Sequence, residues 1–242
     1  MNIIDIIILI ILMTFAVVGW KQGIIKEGVT VIGLIAVFFI AFTFKEEIGN
    51  YFCKFFPFIK FKGALTGLVS LNVLIYQMIG FIIIFGVLCG LYQIILTCSG
   101  ILQKIVNWTI VFTIPSKIGG AIIGLFQGFI IIFIFFLIAL YPLNEYKIIS
   151  ESKIPSAIIY KTPILSKYTA DISNTINEVY DLINSFRNKK ISTNDANLKI
   201  IDTMIKYKIV SKKTIEQLIV LEKLETVKGL EAILDKYEWL NI

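Results

Sequence analysis

Long stretches without a charged side chain dominate the first 143 residues of the chain. Ile6 to Trp20 and Gly28 to Phe44 are uncharged, and each is close to the shortest length that crosses a bilayer core of about 30 Å. Only Lys21 to Glu27 joins them, so these segments are predicted to form a tight hairpin of two antiparallel helices. The next uncharged stretch, residues 63–103, is too long for one upright span, because a helix rises only about 1.5 Å per residue.

This third stretch is therefore divided into two segments. We predict a long tilted helix from about Leu65 to Cys98, followed by an interfacial segment around residues 101–112 that places Trp108 at the headgroup level. A re-entrant segment or a fifth span over residues 100–114 is the alternative. Ile118 to about Leu140 makes the last span, which Tyr141 and Pro142 close. The pattern predicts an all-α membrane protein with four transmembrane helices.

The residues after 143 have the pattern of a small soluble helical region. Apolar residues recur there at steps of three and four, as on one face of an amphipathic helix: Ile172, Ile176, Val179, Ile183 and Phe186. Three shorter helices follow, two of them with predicted caps at Ser211 and Thr226. We therefore predict a multi-pass transmembrane domain over residues 1–143, an amphipathic linker over 144–190 and a small helical bundle over 191–242.

The composition agrees with a membrane protein and excludes several kinds of chemistry. Of the 242 residues, 57% are hydrophobic and 17% are charged, which is too apolar for a soluble domain. Without histidine, the chain alone cannot build Ser-His-Asp or Cys-His catalysis or imidazole-ligated zinc. The three cysteines lack CxxC spacing and are predicted to be structural: Cys53, Cys89 and Cys98. We expect that the protein is not an enzyme, and we assign no catalytic residue, cofactor or metal.

Charge distribution guides the expected partners and orientation. The net charge is +6, but the 15 basic and 13 acidic residues after position 143 are interspersed, so we expect no nucleic-acid binding. The expected partners are the lipid bilayer, a second copy or another membrane protein, and a protein bound by the tail. Lysine counts in the loops favour cytoplasmic termini, whereas the residues that flank the first span favour the opposite orientation.

The most ordered motif lies in the last predicted span. Gly120, Gly124 and Gly128 follow one another at four-residue steps and share one helix face, and Gly19 and Gly23 repeat that spacing at the first hairpin. Rows of glycine let two helices approach closely, which is a main source of helix association in lipid. We predict that these five glycines pack helices together. A pore wall or a sliding surface is the alternative.

Four ionisable residues lie close to the ends of the predicted spans: Asp5, Lys21, Glu27 and Lys117. At those depths snorkelling or pairing costs little, so an ordinary interfacial role is the first expectation. If they form a functional polar site, Asp5 and Glu27 would accept a cation or proton, and the two lysines would contact an anion. A Ser-Lys dyad at Ser116 and Lys117 is not expected, because adjacent residues of a helix do not face each other.

The same residues carry a resemblance to a known family. The opening Asn2-Ile3-Ile4-Asp5, the Gly19-x-x-x-Gly23-x-x-x-Glu27 hairpin and the ladder from Lys117 to Gly128 together resemble the colicin V production protein family of bacterial membrane proteins. Ser116 stands where that family commonly has an acidic residue, and Gln127 stands where a basic residue is common.

The resemblance implies a multi-pass protein of the bacterial inner membrane. Members of the family are needed for the production or export of a bacteriocin, a toxin, and are linked to envelope homeostasis. A membrane scaffold is the first function expected on this basis. A channel or transporter subunit for a small solute or ion is the alternative.

Overall fold

A computed structural model describes residues 3–98, 113–143, 163–224 and 227–237. Within these ranges the regular structure is helical, with a 3-10 turn at Gly63–Leu65 and eight α-helices: α1 Ile3–Gln22, α2 Ile24–Phe55, α3 Leu71–Cys98, α4 Thr113–Leu143, α5 Pro163–Arg187, α6 Thr193–Lys206, α7 Lys212–Val220 and α8 Leu230–Lys236. Helices α1, α2, α3 and α4 are long and apolar enough to cross a membrane. The predicted all-α class with four membrane spans is confirmed.

Several helix bounds differ from the predicted ones. Gly23 alone separates α1 from α2, and its left-handed φ of 79° makes the short turn possible. The second helix continues past Phe44, because a charged residue ends an apolar stretch without ending a helix. The third helix begins at Leu71 and not near Leu65, since Gly67 has a φ of 88° that a helix cannot contain. The predicted interfacial segment 101–112 lies outside the described residues.

The C-terminal helices follow the predicted apolar period. Ile176, Val179 and Ile183 of α5 are buried. Ser211 caps α7, as predicted, because its side chain accepts a hydrogen bond from the backbone N–H of Thr214. Helix α8 has Gly229 at its N-cap position, so the cap predicted at Thr226, which lies outside the described residues, is misplaced.

Contacts divide the chain into two compact units. The first contains Met1–Phe42 and Phe85–Lys167, and the second contains Thr43–Ile84 and Tyr168–Ile242. In the first unit α1 packs along α4. In the second unit the C-terminal helices share a core with residues 43–84, and its most deeply buried side chains include Leu68, Leu71, Ile200, Met204, Ile215 and Leu218. The domain ranges 1–143, 144–190 and 191–242 stay a prediction.

Candidate functional site

The structure places the predicted packing glycines of α1 and α4 against each other. A Cβ atom added to Gly19 would collide with the carbonyl oxygen of Gly120 and lie 3.1 Å from the Cα of Gly124. A Cβ atom added to Gly120 would collide with the carbonyl oxygen of Gly19 and lie 2.9 Å from the Cα of Gly23. Real Cβ atoms essentially never come closer than 3.0 Å to such atoms. We call Gly19, Gly23, Gly120 and Gly124 the glycine crossing.

The row of glycines in α4 also contacts α1 at Phe15. A Cβ atom on Gly124 would collide with the carbonyl oxygen of Phe15, whereas one on Gly128 would lie 3.0 Å from the Cβ of Phe15. Gly124 therefore faces backbone, which cannot move aside, and Gly128 faces a side chain. Close backbone approach of this kind allows extensive van der Waals contact between helices in lipid. The role of the five glycines in helix association stays a prediction.

Ser116 fixes the turn at Gly23 to α4. The backbone N–H of Ile24 donates a hydrogen bond to the Oγ atom of Ser116 over 3.3 Å, and the Ser116 side chain is buried. Ile24 is the first residue of α2, where the N–H groups have no acceptor within the helix. Ser116 thus acts as a cap supplied by another helix. This role was not predicted from the sequence, because Ile24 and Ser116 are 92 positions apart.

The four candidate polar residues do not form one cluster. Asp5 is 6% exposed and Glu27 is 0% exposed, whereas the side chains of Lys21 and Lys117 are exposed. Asp5 lies near the start of α1 and Lys21 lies in its last turn, and 16 residues of helix separate them by about 24 Å. Glu27, by contrast, lies one turn after Gly23 and therefore close to the glycine crossing.

Glu27 is enclosed by helices of the first unit. On one side α2 contacts α4. A Cβ atom on Gly119 of α4 would lie 2.6 Å from the side chain of Ile24, and a Cβ atom on Gly28 of α2 would lie 3.8 Å from the side chain of Ile123. On the other, the hydroxyl of Tyr92 in α3 donates a hydrogen bond to the carbonyl oxygen of Val29 over 2.7 Å. Neither carboxylate oxygen of Glu27 has a hydrogen-bond partner among the described residues.

The second unit contains a chain of polar side chains from α2, α3 and α7. The Nε2 atom of Gln77 donates to Oδ1 of Asn50 over 2.9 Å, and Nδ2 of Asn50 donates to Oγ1 of Thr214 over 2.6 Å. Thr214 donates in turn to Oε1 of Glu46 over 2.8 Å, and the backbone N–H of Ser211 donates to the same oxygen over 2.7 Å. This chain fastens the first turn of α7 to α2.

A second buried set of bonds fastens α6 to the segment before α3. The side chain of Asn197 is 2% exposed and accepts two hydrogen bonds from Ser70, one from its backbone N–H over 3.0 Å and one from its hydroxyl over 2.8 Å. Its Nδ2 atom donates to the carbonyl oxygens of Gly67 and Thr193, over 2.8 and 3.0 Å. Both sets of bonds were missed by the sequence analysis. A signal was present, because Asn197 lies one turn before the apolar pair Ile200 and Ile201 on the same helix face.

Charged groups at the surface of the second unit pair with each other. Lys206 lies 3.0 Å from Glu178, and the hydroxyl of Thr203 donates to that carboxylate over 3.1 Å. Burial raises the pKa of Glu178, but hydrogen bonds from Lys206, Tyr207 and Thr203 outweigh it, so the pKa lies below its usual value. These contacts join α5 to α6.

A groove of about 320 Å³ lies between the segment after α2 and the segment after α7, both in the second unit. Its lining includes Phe58, Lys60, Gly67 and Lys223, and the ammonium group of Lys223 donates to the carbonyl oxygen of Phe56 over 3.1 Å. The described ranges hold no group of three Cys, Asp or Glu side chains placed to bind a metal ion.

Comparison with known proteins supports the resemblance carried by the glycine hairpin and ladder. A family model described as Colicin V production protein matches residues 4–163, which is more than half of the chain. No curated protein and no solved structure matches the chain. The matched range includes all five packing glycines, Glu27, three of the four candidate membrane spans in full and the first span from its second residue. The chain is therefore a multi-pass membrane protein that belongs to the colicin V production protein family.

Proposed function

We propose that this protein is a membrane scaffold without catalytic activity that serves toxin production or export and the maintenance of the envelope. We place it in the bacterial inner membrane with cytoplasmic termini. Family membership supports the link to toxin production. The scaffold role is supported above all by the buried and partly buried hydrogen bonds that fix the C-terminal helices to residues 43–84.

These bonds determine how the tail is presented to a partner. Buried polar groups are costly when unpaired, so the bonds of Asn197 with Ser70 and of Thr214 with Glu46 favour one arrangement of α6 and α7 over others. A tail on a flexible linker would lack this constraint. A fixed arrangement lowers the entropy that a partner must remove on binding.

The experiment is a deletion with complementation in a bacterium that carries this chain and secretes a bacteriocin. Deletion is expected to reduce secreted toxin activity against an indicator strain and survival in a membrane-active detergent. The parent chain should restore both, and Asn197→Ala should restore less than the control Asn194→Ala. Unchanged secretion and survival after deletion would refute the proposal.

A channel or transporter subunit is the second candidate, because Glu27 is a buried carboxylate in a membrane-spanning helix. The purified chain is reconstituted into liposomes that contain a pH-sensitive dye. Proton flux equal to that of protein-free liposomes supports the scaffold. Flux that exceeds this background and falls in Glu27→Gln favours the transporter.

A further inference from the structure

Glu27 is completely buried, and its carboxylate has no hydrogen-bond partner among the described residues. Its side chain is 0% exposed, and both carboxylate oxygens lack a partner in the part of the chain that the structure describes. Buried polar atoms in proteins are nearly always hydrogen-bonded, and an exception calls for an explanation. The protein environment itself encloses this group, so contact with lipid does not account for its burial.

In the part of the chain that the structure describes, no charged or titratable group on the surrounding helices forms a hydrogen bond with Glu27. Lys21 at the end of α1 and Lys117 at the start of α4 are exposed, and Lys26 on α2 itself is partly exposed. The hydroxyl of Tyr92 on α3 is engaged by the carbonyl oxygen of Val29. The buried hydroxyl of Ser116 on α4 accepts a hydrogen bond from Ile24.

Glu46, on the same helix, accepts hydrogen bonds of the kind that Glu27 lacks among the described residues. Its Oε1 atom receives hydrogen bonds from the backbone N–H of Ser211 and from the hydroxyl of Thr214. Donors of this kind favour the ionised form of a carboxyl group. Glu27 has no such donor among the described residues. A buried carboxylate without a hydrogen-bonded partner neutralises by taking up a proton.

We propose that Glu27 is a proton-binding site whose carboxyl group is protonated while the helices around the glycine crossing are packed. Release of the proton to water breaks the O–H bond and leaves a carboxylate. That charge is stable only when water reaches the side chain, so proton release requires the turn at Gly23 to separate from α4. This site does not depend on the scaffold function, since a scaffold and a transporter could both contain it.

The test is infrared spectroscopy of the full chain in lipid nanodiscs over a range of pH. At neutral pH the parent should show the carbonyl band of a protonated carboxyl group. The band should be lost in Glu27→Gln and retained in Glu46→Gln and in Asp5→Asn, which removes the other buried carboxyl group of the first unit. Absence of the band from the parent, or its persistence in Glu27→Gln, would overturn the proposal.

Thermal stability provides a second readout. Under this proposal the packed helices contain the neutral acid and the charged form requires them to separate, so the fold should lose stability as pH rises. The melting temperature of the parent should therefore fall more on alkaline titration than that of Glu27→Gln. The amide mimics the neutral acid, so a Glu27→Gln chain that folds poorly at neutral pH would also contradict the proposal. Neither readout involves toxin secretion, so each can fail independently of the proposed function.

Discussion

Asn197→Ala should lower the free energy needed to open α6 away from the segment before α3, and it should do so more than the loss of an exposed side chain on the same helix. The parent side chain makes four hydrogen bonds, two with Ser70 and one each with the carbonyl oxygens of Gly67 and Thr193. Alanine makes none of them. Because Ser70 is completely buried, its N–H and hydroxyl groups would remain without partners and without access to water.

The magnitude follows from these bonds. A hydrogen bond contributes about 1 kcal/mol net to stability, and a buried group left unpaired costs about 1 to 3 kcal/mol. Allowing for relaxation around Ser70, Asn197→Ala should lower the opening free energy of α6 by about 3 kcal/mol. Asn194→Ala is the matched control on the same helix, because Asn194 exchanges two exposed hydrogen bonds with the backbone of Lys228, which water can replace. We expect about 1 kcal/mol there.

Hydrogen exchange of the α6 amides in the full chain measures both effects. Each 1.4 kcal/mol is a factor of ten, so Asn197→Ala should accelerate exchange of the slowest α6 amides about 100-fold, and Asn194→Ala less than tenfold. Equal acceleration in the two variants would show that the buried bonds of Asn197 do not hold α6 in place. It would also remove the main support for the scaffold.

Three further predictions test other contacts. Gly124→Leu should lower the yield and melting temperature of the full chain, because any side chain there meets the backbone of α1. The control Gly86→Leu should lower neither, since a Cβ atom there has nothing within 4 Å. Equal losses in the two variants would contradict close packing at the glycine crossing. The pKa of Glu178 is held below the 4.5 of an unperturbed glutamate, so its stabilising effect should disappear as pH falls, and the melting temperature of Glu178→Gln should depend less on acid pH than that of the parent. In chains whose native cysteines are replaced, Lys117→Cys should react with a membrane-impermeant reagent in intact cells and Lys199→Cys should not; the reverse result would show that the termini are outside.

Local patterns in the sequence were sufficient to predict the membrane spans. The bilayer requires about 20 apolar residues in a helix, and this requirement can be recognised without knowing what the helix contacts. The cap at Ser211 is local in the same way, because the residue that it binds is only three positions away. Helix ends were predicted less well, since Phe44 marks the last apolar residue of a stretch while α2 ends at Phe55.

Contacts between distant residues could not be predicted. The structure shows that a Cβ atom on Gly80 would lie 2.6 Å from the backbone nitrogen of Gly49, and the sequence analysis did not predict that these two glycines meet. The four candidate polar residues were grouped because each lies near the end of a span, and the structure shows that Asp5 and Glu27 are buried whereas Lys21 and Lys117 are exposed. Depth in the membrane is a property of position in the sequence, whereas adjacency depends on which helices pack together.

The sequence by itself determined that this protein is helical, that it crosses the membrane and which glycines could let helices approach. Each of these conclusions rests on a local period or on a transfer free energy, which are properties of short segments. Only the tertiary structure showed that Ser116 caps α2, that Asn197 binds Ser70 and that Glu27 is enclosed without a hydrogen-bond partner among the described residues. The rotation of each helix about its axis selects among many polar pairings with similar local energies, and that rotation is fixed by the packing of all the helices together.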